Sequence, residues 1–165
     1  MNRFTAVLAL LTLAASSLAT AQSRNPCTLL SKAEIESVVG GPISGLDGSN
    51  NLGGTQTCSG VVAKRMSVML MYVTSNQKVA DPMGYLEAES RKAANSIGAQ
   101  MDVKKFGPIL FTTLIPPKQG PYSTQCMVIK PPSSMASIAV MVAKQQEMVS
   151  IDKLHLLAEK MLGRL

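Results

Sequence analysis

Two stretches of this chain run through the same order of signals, and that order limits the fold more than any other feature. Cys58 and Cys126 each open a pair of strand-like segments. Met66 and Met135 each begin the second strand of a pair, and Asp81 and Ser150 each cap the helix that follows. The offset is 68 residues for the cysteines and 69 for the other two pairs. This spacing is compatible with a duplicated strand–strand–helix unit, though residue identity between the two stretches is low, and the fold class is the same with or without a duplication. The fold class it predicts is α+β, an antiparallel sheet with helices mainly on one face.

The local signals fill in that plan. Strands are predicted over about Gln56–Ala63 and Ser67–Thr74, joined near Lys64-Arg65. In the second, Val68, Leu70 and Tyr72 alternate with Met69, Met71 and Val73, so both faces are apolar and an interior strand covered on each side is expected. Asp81 caps a helix with Pro82 at its first position, a placement proline favours because its missing N–H has no intrahelical partner there. That helix runs to about Gly98 with Met83, Leu86, Ala93, Ala94 and Ile97 on one face. Gln100–Lys105 and Ile109–Leu114 are further strands around Phe106-Gly107-Pro108. Tyr122–Ile129 and Ala136–Ala143 form the second pair. The last helix, capped by Ser150, carries Ile151, Leu154, Leu157, Ala158, Met161 and Leu165 at helical spacing, with Lys160 and Arg164 placed to complement its dipole.

Ahead of the first strand pair stands a short helix between Cys27 and Gly41. Ser31 and Glu34 have the spacing of a capping box, and Leu30 and Ile35 that of a hydrophobic staple. Gly40-Gly41-Pro42 stops it, since glycine accepts left-handed geometry and proline cannot continue a helix. Residues 43–54 are rich in Gly, Asn and Ser and are expected to form a mobile loop.

The N-terminus is read as an export signal. Met1-Asn2-Arg3 is a short positive head, Ala6 to Leu18 is a nearly unbroken apolar run, and Ala19-Thr20-Ala21 fits the small-x-small cleavage rule. The apolar run is shorter than the about 20 residues a spanning helix needs. The expectation is a signal peptide over 1–21, and a mature chain of 144 residues from Gln22, a single secreted or periplasmic domain not embedded in a membrane. Without Arg3, the 16 basic and 10 acidic residues leave a net charge of +5, dispersed in isolated pairs. With no Trp, three Tyr and three Phe, no aromatic platform for stacking bases is available, which argues against nucleic acid. The charge favours an acidic partner.

Few residues offer chemistry. His155 is the only histidine, set between Leu154 and Leu156 on a helix, so a nucleophile–base pair and a histidine-rich metal site find little material. Glu34, Glu36, Glu87 and Glu89 occur as i, i+2 pairs that face different ways on their helices. Gly53-Gly54 lacks the lysine and the helix of a phosphate-cradling loop, and no cofactor is expected. Met66-x-x-Met69-x-Met71 invites a Cu(I) reading, because thioethers suit that ion. Strand alternation sends Met66 to the face opposite Met69 and Met71, which weakens it. In an oxidising compartment the cysteines should pair. Three cysteines allow three single bridges, and the repeat places Cys58 and Cys126 in comparable strands.

The stretch Cys27-Thr28-Leu29-Leu30-Ser31-Lys32-Ala33-Glu34-Ile35, followed by Gly40-Gly41-Pro42, resembles the start of a family of small bacterial secreted and lipoprotein domains. Those domains open with Cys-x-Leu-Leu-Ser/Thr, a short helix bearing a Glu, and a Gly-x-Pro stop. The Val103 to Phe111 segment with its central Gly107 sits where that family turns into its second half. The chain departs from the pattern in lacking a lipobox and in carrying Cys126. The resemblance implies a Cys27–Cys58 bridge, with Cys126 unpaired and buried. Closing that loop would stabilise by roughly 3–4 kcal/mol in the chain-entropy model. Related folds serve as extracytoplasmic sensors.

The functional expectation is a non-catalytic binding domain, sensor-like or inhibitor- and immunity-like, whose partner is an envelope protein such as an acidic enzyme or toxin. The alternatives are an envelope enzyme using dispersed carboxylates and a methionine-rich copper-binding protein. Binding is expected at loops on the fixed scaffold: Asp47, Asn50 and Asn51 in the 44–54 segment, Lys118 and Gln119 in the Pro116–Gly120 turn, and Lys130 beside Pro131-Pro132.

Overall fold

The computed structural model describes residues 25–52, 55–63, 66–74, 79–117, 121–131 and 134–165, so the signal peptide expected over 1–21 lies outside the described residues. The chain opens with a 3-10 turn, Pro26–Thr28, started by the Asn25 side chain accepting from Cys27 N at 2.9 Å. Helix α1, Lys32–Val39, begins on the capping box: Ser31 Oγ accepts from Glu34 N, and Ser31 N donates to Glu34 Oε2 at 2.8 Å. It ends at Gly40 with φ +79°, a left-handed cap that costs glycine nothing. Leu30 and Ile35 are both fully buried, as the staple requires.

Seven strands follow: β1 Ile43–Leu52, β2 Thr55–Val62, β3 Met66–Thr74, β4 Gln100–Phe106, β5 Ile109–Ile115, β6 Tyr122–Lys130 and β7 Ser134–Val142. Helix α2, Pro82–Ser96, joins β3 to β4, and α3, Ile151–Arg164, closes the chain. All strands pair antiparallel in one sheet of order β1-β2-β3-β7-β6-β5-β4, so the fold is α+β. Among the described residues, no helix is long and apolar enough to cross a membrane.

The loop expected over 43–54 is corrected at its first ten residues, which form edge strand β1 against β2. An edge strand needs a ladder on one side only, so apolar alternation, the signal that marks a strand, is not demanded of it. Two register shifts, between Ser44 and Asp47 and between Asp47 and Asn50, let the Gly- and Asn-rich segment follow its partner. Close approach also matters here. A Cβ on Gly60 would stand 2.9 Å from the Ile43 side chain, so β2 carries glycine where β1 crosses it.

Register divides the sheet into two faces. On one, Cys58, Leu70, Ile138, Cys126 and Phe111 form a fully buried row across β2, β3, β7, β6 and β5. Helices α1 and α3 and the first turn cover this face, and Leu154, Leu157, Ala158 and Met161 of α3 pack into it. Helix α2 lies on the other face, where its Glu87 pairs with Lys105 of β4 and where Leu110 and Thr112 of β5 are buried.

The two halves match in the sheet and part company in the helices. The offset of 68 that relates Cys58 to Cys126 also relates Leu70 to Ile138, which are paired at the centre of the sheet. Yet α2 and α3, which follow the matching strand pairs, cover opposite faces. Strand β3 is interior in the ladder as expected, but only Val68, Leu70 and Tyr72 are buried; Met69, Met71 and Val73 stay half-buried. The apolar face expected on α2 is also thinner than its spacing implied. Ala94 alone of those residues is buried, while Ile97, at the helix end, is 59% exposed.

Candidate functional site

The described disulfide is Cys27–Cys58, with Cα atoms 5.3 Å apart. It pins the first turn to β2. The alternative from the repeat, Cys58–Cys126, fails on distance. The two cysteines occupy one row but are three strand spacings apart, on the order of 14 Å, beyond the about 7 Å a bridge can span. Cys126 is free and buried, and burial pushes its thiol up to about 12, far from the thiolate a nucleophile needs.

Glu34 is the most connected side chain of the described surface. Its carboxylate accepts from Arg164 through Nη1 at 2.8 Å and Nη2 at 2.7 Å, from Lys160 Nζ at 2.9 Å, and from Ser31 N at 2.8 Å. Arg164 Nη1 also donates to Leu29 O at 2.7 Å. The Arg164 guanidinium first, then the Ser31 N–H and the Lys160 ammonium, hold this carboxyl well below the usual carboxylate range. Spacing marked Glu34 as a capping residue and Lys160 and Arg164 as partners of the helix dipole. What it could not show is that these roles meet across 126 and 130 residues of sequence to clamp α1 onto α3.

Beside the clamp lies a recess of about 400 Å³ between α1 and α3. Its floor is Val38 and Leu157, its outer wall Leu156, and its rim Glu34, Ser37, Glu159 and Lys160. Leu156 is 57% exposed, an apolar residue on the solvent side of an amphipathic helix. One residue back, His155 packs against the rings of Phe106 at 5.2 Å and Phe111 at 5.6 Å and approaches Glu159 Oε1 at 3.4 Å. Phe106 is itself 45% exposed. His155 is therefore a core-edge residue held by aromatic packing.

Two other carboxylates, Glu87 and Glu36, tie elements together. Glu87 pairs with Lys105 and Arg91, which keep its carboxyl below the usual range. Glu36 Oε1 accepts from Ile43 N at 2.8 Å, tying α1 to the start of β1. Among the described residues, no group of three His, Cys, Asp or Glu side chains is placed to hold a metal ion.

Four of the binding residues expected from the sequence fall among the described residues. Asp47 is exposed on β1 opposite Ser59, and Asn50 and Asn51 pair in the ladder with Thr57 and Gln56. Lys130 ends β6, exposed, on the same end of the sheet as the β1–β2 connection. Lys118 and Gln119 lie outside the described residues, in the connection from β5 to β6, which leaves from the opposite end. The recess escaped sequence reading because Val38 and Leu156 come from helices far apart in the chain. Leu156 alone carried a signal: it breaks the apolar face of α3.

Comparison with protein-family models, with curated proteins and with solved structures finds no match to this chain.

Proposed function

We propose that this chain is an exported, non-catalytic binding domain that recognises another envelope macromolecule through the recess between α1 and α3. The observation that carries the reading is the exposed Leu156 beside an apolar floor, fenced by charges of both signs. An apolar anchor site within a polar rim is the usual anatomy of a recognition surface. The disulfide and the Glu34 clamp support it, because they hold the two helices rigid and reduce the ordering cost of binding. A disulfide also fits a periplasmic or secreted protein, as the N-terminal signal and the resemblance to small secreted domains suggest. The net charge of +5 after Arg3 is removed favours an acidic partner, an enzyme or toxin held in check, or the ligand-bearing protein of a sensor.

The test is capture from envelope extract by the purified domain, its Leu156→Asp variant and an Ile97→Asp control. A specific partner should be retained by the parent and the control, lost by Leu156→Asp, and weakened by salt. Equal capture by all three would remove the recess from the account. Turnover of a substrate by the purified domain would remove the non-catalytic reading.

A further inference from the structure

The face of the sheet opposite the recess carries a separate feature. Of the ten methionines after Met1, six project to it by register: Met69 and Met71 of β3, Met101 of β4, Met127 of β6, and Met135 and Met141 of β7. Helix α2 covers the β4–β5 side of this face, and Met69, Met71, Met135 and Met141 over the sheet centre are half-buried. Ser137 stands among them. It pairs with Met71 on one side and with Met127 on the other, and Met135 lies two residues back along its own strand.

Ser137 is fully buried, and its Oγ has no hydrogen-bond partner. Buried hydroxyls are nearly always paired, because leaving one bare costs its full desolvation. The unpartnered hydroxyl stands, by register, between methionines of β3, β6 and β7, where a partner from outside the chain could meet it. Strands about 4.8 Å apart and same-face residues about 6.8 Å apart put three thioethers around one point, and methionine has the rotatable bonds to turn its sulfur inward.

We propose that Met71, Met127 and Met135 form a three-thioether site over Ser137 for Cu(I). Thioether sulfur is a soft, neutral ligand that selects this ion over Zn(II), Mg(II) and Ca(II). Neutral thioethers need lose no proton to bind, so affinity is flat across pH 5–8, unlike a thiolate or imidazole site. The other soft or borderline side chains, Cys126 and His155, belong to the opposite face and are not part of it. The site is independent of the recess. It also differs from the Met66, Met69, Met71 set that spacing alone offers, since Met66 packs toward the core face.

Ag(I), which has the same ligand preference and no redox chemistry, is the probe. The exported protein, labelled at its methionine methyl carbons, is titrated with Ag(I) and followed by NMR. The expected result is saturation at one ion per chain, with the methyl signals of Met71, Met127 and Met135 moving together. Cu(I) competition against bathocuproine should then show affinity falling by about a hundredfold in Met71→Leu/Met135→Leu, a near-isosteric exchange. No methyl shift at equimolar Ag(I), shifts confined to Met148 and Met161 near the core, or unchanged affinity in the double variant would each overturn the proposal. Should the double variant not fold, the methyl titration of the parent protein decides alone.

Discussion

Glu34 shows how much one residue can carry in this molecule. It completes the capping box of α1, accepts a two-pronged contact from Arg164, and receives Lys160 from α3. Its carboxyl titrates lower in the folded chain than the about 4.3 of an unfolded one, so its stabilisation is complete above that value and is lost as pH falls toward the folded one. Stability against urea should therefore drop from about pH 5 down to pH 2, and Glu34→Gln should flatten that slope. Glu87, held low by Lys105 and Arg91, keeps part of the slope in the variant. At pH 7 the variant should be less stable by about 1 kcal/mol, from the weakened cap and ionic hydrogen bonds. Identical pH profiles for parent and variant would show that the clamp contributes nothing. The Ser31-x-x-Glu34 spacing was legible in the sequence because a capping box is local. The clamp was not, because its partners lie at the far end of the chain.

At the scale of elements, signals within a few residues of each other were readable and those that depend on neighbours were not. The caps at Ser31, Asp81 and Ser150 all begin the helices where their side chains accept a backbone N–H. Strands β2, β3, β6 and β7 follow their apolar runs because each has a buried face. Strand β1 was missed because its polar, Gly-rich residues are held mainly by backbone pairing, with bulges that break any alternation. The placement of α2 against the second face was equally hidden, since its contact with the sheet is narrow and most of its surface is solvated. The cysteine pairing was open on spacing, and the distance between strands decides it. Packing and the Cys27–Cys58 bridge hold the first turn on β2. Replacing both cysteines by alanine should cost about 3 kcal/mol, read as a lower denaturation midpoint, and reducing the parent protein should bring its midpoint to that of the variant. An unchanged midpoint in either case would mean that the bridge adds no constraint.

For the whole molecule, a disulfide-pinned sheet presents two unlike surfaces. One bears the recess between α1 and α3, and the other bears the methionines set by register around Ser137. Neither was visible along the chain, for the same reason: each draws residues from elements that meet only in the folded sheet. Glu34 and Glu87 tie elements of the scaffold together, the thiol of Cys126 is buried in it, and the recess is where its described surface is apolar and open. The most direct measurement is site-specific photocrosslinking of the protein in the cells that produce it, with the crosslinker placed at Leu156 and, as a control, at Ile97. Both leucine and isoleucine here are exposed apolar residues, so general stickiness affects them alike. The account predicts one discrete crosslinked partner from Leu156 and none from Ile97, with the Leu156 product lost when Val38→Asp alters the recess floor. The same products from both positions, or none from Leu156 in cells producing the protein at its natural level, would contradict it.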